Sequence, residues 1–189
     1  MSDGSAVPIR ESYRGYKPPV NATRTVKRLL AEVPEKYIRG LDCVVVTNLS
    51  GQPRRNRLGK TTSRGRRVLQ SRVLGRYHRK WRGNSPWIEL YVDQIVRRYP
   101  RWALWIPFVR DIVVGRTLYH ELGHHVHLTI RPEYREKEDV ADDWEKKFSS
   151  HFVRRRYWYL IPVAKVISPF ATWLSERRAR LGQRNPHRE

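Results

Sequence analysis

Asp111-Ile-Val-Val-Gly-Arg-Thr-Leu-Tyr-His-Glu-Leu-Gly-His-His-Val-His127 sets four histidines and a glutamate in an apolar frame of helical period. Val113, Val114, Leu118, Leu122 and Val126 recur at three- to four-residue steps, so one amphipathic helix is expected from about Asp111 to His127. His120 and His124 then share a face about one turn and ~6 Å apart, the separation at which two imidazoles converge on one tetrahedral cation. Glu121 follows the first histidine directly, and its carboxylate can reach a water bound to that cation without ligating the cation itself. Gly123 sits inside the helix at a cost of about 1 kcal/mol against alanine. Such a glycine needs a reason, and the close approach of another backbone or of a substrate would supply it.

Hydrolytic zinc has three protein ligands and one open position, so a third donor is required. His127 shares the face of His120 and His124 but lies about two turns, ~10 Å, from His120, too far to share a metal with it along a continuous helix. His125 points about 100° away. A metzincin-type site would need a histidine six residues after His124, where Ile130 stands. Downstream of Pro132, residues 136–148 read as a second, carboxylate-rich helix. Val140, Trp144 and Phe148 form its apolar stripe, and Glu138, Ala141, Asp142 and Glu145 a neighbouring face on which Ala141 leaves room for the first helix.

His120-Glu-Leu-Gly-His124 followed by Glu138-Asp-Val-Ala-Asp142 resembles the zincin metallopeptidases, and within them the gluzincin, thermolysin-like branch, over about residues 110–148. The resemblance implies one Zn2+ per chain, held by His120, His124 and Glu138. It implies Glu121 as the catalytic base and Asp142 as the carboxylate that accepts the other ring N–H of a ligand histidine, a contact that fixes the tautomer and raises the basicity of the ring. Asp139 with Asp143 offers the same spacing one residue on.

The chain has 189 residues, enough for one compact domain. Residues 1–22 carry Pro8, Pro18 and Pro19 among scattered Gly and Tyr and are expected as an extended arm, with a single metallopeptidase domain over 23–189. Seven tryptophans and ten tyrosines are ample core material and argue against global disorder. The single cysteine, Cys43, lies in an apolar run; with no second cysteine it forms no intramolecular disulfide and belongs to no zinc finger. Residues 1–25 contain no apolar core of the kind a signal peptide needs, so a cytoplasmic location, peripheral to a membrane in one variant, is the expectation.

Charge is the second signal. Thirty-nine Lys and Arg against 18 Asp and Glu leave +21, with much of the excess in 54–82 and 154–180. Such a surface attracts polyanions, whether nucleic acid or an anionic membrane. No ribonucleoprotein motif, zinc finger or zipper can be read. Gly59-Lys60-Thr61 lacks the earlier glycine of a phosphate-binding loop.

The remaining pattern predicts an α+β fold, with a small mixed sheet of about three strands packed on the active-site helix and on the glutamate-bearing helix, and a C-terminal helical region over 152–181. A first helix is expected over Thr23–Val33, stopped by Pro34, and a buried strand over Leu41–Asn48. A long basic loop is expected over 49–67, and further strands over Val68–His78 and Trp87–Ile95. In the last of these Ile88, Leu90 and Val92 alternate with polar positions. By resemblance, the strand Trp87–Asp93 would pair with substrate backbone, the alternative being an interior strand. Trp102–Val109 is too short to span a bilayer, whereas Tyr157–Leu174 approaches the length but is interrupted by Pro162, Lys165 and Pro169. A span, an interfacial segment and a core-packing helix all remain open for it.

The expected function is zinc-dependent hydrolysis of peptide bonds in a protein or peptide substrate. His151, Tyr134 and Tyr157 are candidates for the oxyanion donor. The competing expectation is a basic nucleic-acid- or membrane-binding protein with a structural or vestigial histidine motif. A third joins the two, a protease acting on nucleic-acid-bound proteins, as in the SprT-like crosslink proteases; the antirepressor-cleaving metallopeptidases of mobile elements are similar to the same degree.

Overall fold

The computed structural model describes residues 7–53, 60–63, 66–69, 73–80, 83–130 and 137–160. Two compact units divide the chain, Met1–His151 and Phe152–Glu189. The architecture of the first is α+β. Strands β1 (Ile9–Ser12), β2 (Val44–Thr47), β5 (Gly75–His78) and β6 (Trp87–Tyr91) form a four-stranded mixed sheet in the order β1-β2-β6-β5. β1, β2 and β6 run parallel, and β5 lies antiparallel to β6. Strands β3 (Lys60–Ser63) and β4 (Arg66–Leu69) make a separate antiparallel pair. The α-helices among the described residues are α1 (Ala22–Leu30), α2 (Val92–Arg97), α3 (Pro107–His125) and α4 (Lys137–Arg156), and a π-helical stretch, Val126–Ile130, extends α3.

Helix α1 begins where the Asn21 side chain accepts the Arg24 N–H at 2.8 Å, a capping bond that satisfies one of the orphan donors of the first turn. Val26, Leu29 and Leu30 are buried along one face. Its end at Leu30 falls slightly short of the expected Val33, in the approach to Pro34. β2 is the β-branched run Val44-Val-Val-Thr47; flanked by a strand on each side, it has little exposed surface on either face, as a parallel strand should.

Four expectations need correction. Within the proposed N-terminal arm, Ile9–Ser12 pairs in register with Val44–Thr47 and is a strand of the sheet. The stretch expected as a basic loop over 49–67 contains β3 and the start of β4, with a 3-10 turn at Leu49–Gly51 ahead of them. The strand expected over Val68–His78 is two strands, one ending at Leu69 and one beginning at Gly75. The strand expected over Trp87–Ile95 stops at Tyr91, and the chain turns into α2. The turn into α2 is fastened by a contact distant in sequence. The Asp93 carboxylate accepts the N–H groups of Leu49 and Ser50 at 2.9 and 3.0 Å, while Val92 and Ile95, three residues apart, are both buried.

β6 is an interior strand, and the polar face expected of it is buried as well. Glu89 is accommodated there because its carboxylate accepts the Tyr91 hydroxyl at 2.8 Å and lies 3.2 Å from His78 Nε2, whose ring stacks on Trp87. β5 has β6 as its single strand partner among the described residues. Cys43 is buried. In the second unit, helix α4 ends at Arg156 and a 3-10 turn follows at Trp158–Leu160. Residues 161–189, which hold most of the expected C-terminal region and of the Tyr157–Leu174 stretch, lie outside the described residues. No helix among the described residues is long and apolar enough to cross a membrane.

Helix α3 is tied to α1 at its first turns. Asp111, fully buried, receives Arg28 in a two-point contact, with Nε donating to Oδ2 at 2.9 Å and a terminal nitrogen to Oδ1. Removing one partner of such a pair leaves the other charge in a medium that solvates it poorly. Arg28→Met is therefore expected to lower the unfolding free energy by about 3 kcal/mol. Urea denaturation measures it, and a loss below ~0.5 kcal/mol, the range of an ordinary surface change, would show that water already solvates Asp111.

Candidate metal centre

Helix α3 runs from Pro107, placed at the first helical position where its missing N–H costs nothing, to His125. Three glycines let it approach its neighbours closely. A Cβ on Gly115 would lie 3.2 Å from Leu29 Cδ2 of α1, and one turn on the Tyr119 hydroxyl donates to the Leu29 carbonyl at 3.1 Å. A Cβ on Gly75 of β5 would meet Thr117 Cγ2 at 2.8 Å and Glu121 Cγ at 3.0 Å. A Cβ on Gly123 would meet the Ala141 backbone of α4 at 2.7 Å, a distance no real Cβ adopts. The glycine inside the helix is thus explained by backbone approach, with Ala141 as the facing small residue.

That crossing brings the first turns of α4 onto the histidines. His120 and His124 stand edge to face with ring centroids 4.9 Å apart. Glu138 Oε2 lies 3.5 Å from His120 Nε2, and its Oε1 lies 4.0 Å from His124 Nε2. Donor atoms of His120, His124 and Glu138 all fall within 4.8 Å of one another. On the other side of the His120 ring, Nδ1 lies 3.0 Å from Asp142 Oδ1. With Nδ1–H donated to that carboxylate, the lone pair of His120 is on Nε2, the nitrogen that faces Glu138. Asp139 and Asp143 are exposed, and Asp143 pairs with Lys146 at 3.6 Å.

Burial, with the charge of His120 adding to it, pushes the His124 pKa down to about 4, so this imidazole is neutral and free to donate its lone pair at physiological pH. Glu138 Oε2 is buried and has no hydrogen-bond partner among the described residues. A buried carboxylate oxygen left so, beside two imidazole nitrogens, is an arrangement that a divalent cation satisfies. His120, Asp142 and Glu145 also lie close enough to hold an ion. That group has one histidine, uses the carboxylate that already faces Nδ1, and draws on Glu145, which pairs with Arg116 at 3.2 Å. The His120, His124 and Glu138 set matches zinc preference better.

Glu121 is buried between α3 and β5 over the bare backbone of Gly75. Loss of hydration pushes its carboxyl pKa up to about 8, with the Tyr77 backbone hydrogen bond opposing, the Glu138 charge adding and Arg76 opposing again. A carboxyl held that high keeps its proton at neutral pH while no cation lies beside it, and once ionised it is a stronger base than an ordinary carboxylate. Gly75 and the Tyr77 N–H were not singled out by sequence reasoning, although a glycine at a strand position is a signal of close backbone approach.

The other histidines are turned elsewhere. His125 is buried, with Nε2 3.1 Å from the Arg39 carbonyl and Nδ1 3.3 Å from the Tyr77 hydroxyl, and burial pushes its pKa down. His127 is buried in the π-helical stretch. Of the three oxyanion candidates, His151 is exposed, Tyr157 belongs to the second unit and Tyr134 lies outside the described residues.

Comparison with protein-family models, with curated proteins and with solved structures finds no match to this chain.

Proposed function

We propose that this chain is a zinc-dependent peptidase of the gluzincin type, hydrolysing peptide bonds of a protein substrate. The observation that carries the reading is the convergence of His120, His124 and Glu138 with Asp142 behind His120.

Zinc, when bound, would polarise a scissile carbonyl and lower the pKa of a water toward ~7. His120 and His124 would hold it through neutral imidazoles and Glu138 through one carboxylate oxygen. Asp142 holds the His120 ring in the tautomer that keeps Nε2 available. Glu121 accepts the proton of the attacking water and returns it to the leaving amine. In this reading a substrate strand would pair with β5, the strand against which Glu121 packs, rather than with the interior β6, adding main-chain hydrogen bonds that carry little sequence preference.

Metal content tests the proposal most directly. Purified chain is expected to carry or take up about one zinc, removable by a strong chelator. Folded protein that holds none and gains none on titration would return the motif to a structural role and leave a basic polyanion-binding protein.

A further inference from the structure

Between Gln94 and Arg110 the chain has three arginines, Arg97, Arg98 and Arg101, and no carboxylate. Within it, Trp102 is 70% exposed, Trp105 79%, Ile106 45% and Tyr99 37%. These side chains are not on a loose loop. Ala103 and Leu104 are buried, and successive backbone bonds Ala103 N to Pro100 O, Leu104 N to Arg101 O, Trp105 N to Trp102 O and Ile106 N to Ala103 O wind the segment into a 3-10 turn. Residues three apart eclipse in such a turn, so Trp102 and Trp105 stand on one side of it. Arg97, Arg98 and Arg101 are exposed in the same short stretch.

We infer that this turn is a docking surface for the headgroup region of an anionic lipid bilayer. Large exposed apolar side chains on a soluble face mark an interaction site when they are contiguous. Tryptophan and tyrosine favour the bilayer interface, where the ring is partly dehydrated and its polar edge still hydrogen-bonded. Arginines beside them meet the negative surface potential of anionic lipids. A nucleic acid would use the arginines and could stack on the rings, but it offers nothing to Ile106 and Pro107, which are exposed beside them. Because the turn is already formed and anchored, insertion orders few bonds. His120 lies thirteen residues into α3, about 20 Å along the axis from Pro107. The candidate metal centre is thus no part of the docking surface.

The inference does not rest on the peptidase reading, since vesicle binding needs no zinc; a chain that binds vesicles and no metal would keep the one and lose the other. The test is flotation of the full chain with vesicles of phosphatidylcholine containing phosphatidylserine, against pure phosphatidylcholine, with circular dichroism and thermal midpoint as fold controls. The wild type is expected to float with the anionic vesicles. W102A/W105A, folded as the wild type, is expected to bind at least ~30-fold more weakly, and each of R97Q, R98Q and R101Q about fivefold more weakly in low salt. Equal flotation of wild type and W102A/W105A overturns the inference, even if both bind. So does absence of flotation together with a dimer, or with single-stranded DNA binding, that W102A/W105A abolishes.

Discussion

Glu121→Gln is expected to leave the fold and the zinc content near wild type while lowering turnover by at least ~100-fold, the usual worth of a positioned general base. Glutamine keeps the length and helix propensity of glutamate and fits the same space over Gly75, where the carboxylate is buried. It does not touch His120, His124 or Glu138, so metal affinity is not the quantity that should move. What is lost is the ability to accept a proton, because an amide oxygen is a far weaker base than a carboxylate. The measurement is chelator-sensitive cleavage of a labelled unfolded protein such as casein, with zinc determined on the same samples. A variant that retains zinc and cleaves at the wild-type rate removes Glu121 from the chemistry. Loss of zinc along with activity would assign Glu121 to the metal site instead.

Helix α3 was legible because apolar residues recur along it at helical spacing, and the sharing of a face by His120 and His124 follows from the rise per residue alone. Gly123 was legible in kind, as a glycine needing a close neighbour, and Ala141 as a small residue facing it. The sheet was less so. β1 is four residues long and carries Arg10 and Glu11, so nothing in its composition marks it as a strand; pairing with β2 makes it one. Sequence pattern makes β6 look half-polar because Glu89 reads as a solvent residue until His78, eleven residues away, and Tyr91 are placed around it. Order in the sheet, with β5 outside β6, depends on long-range pairing that no local pattern encodes. The Arg28 to Asp111 contact spans 83 positions and is invisible for the same reason. The approach of Glu138 to the histidines is an intermediate case. Spacing limits which carboxylates can reach, but the choice among Glu138, Asp139 and Asp143 depends on the rotation of α4, which the Gly123 and Ala141 contact sets.

That rotation makes a ranking that mutagenesis can read. Glu138→Ala removes a donor from a site with only three, and zinc affinity is expected to fall by well over ~100-fold, to the level of a two-histidine site. Asp142→Ala leaves all three donors in place. Its loss frees the His120 ring to rotate and to take the other tautomer, which should cost roughly 10–100-fold in affinity. Asp139→Ala and Asp143→Ala, at exposed positions, should change affinity little. Competition titration against a chromophoric chelator resolves these ranges in one experiment. If Asp139→Ala were the most damaging of the four, α4 would be turned by about 100° from the orientation that places Ala141 against Gly123. If Asp142→Ala exceeded Glu138→Ala, Asp142 would be the ligand. The two carboxylates sit on opposite sides of one ring, Oε2 of Glu138 at 3.5 Å from Nε2 and Oδ1 of Asp142 at 3.0 Å from Nδ1, so the ranking reports which nitrogen of His120 faces the metal.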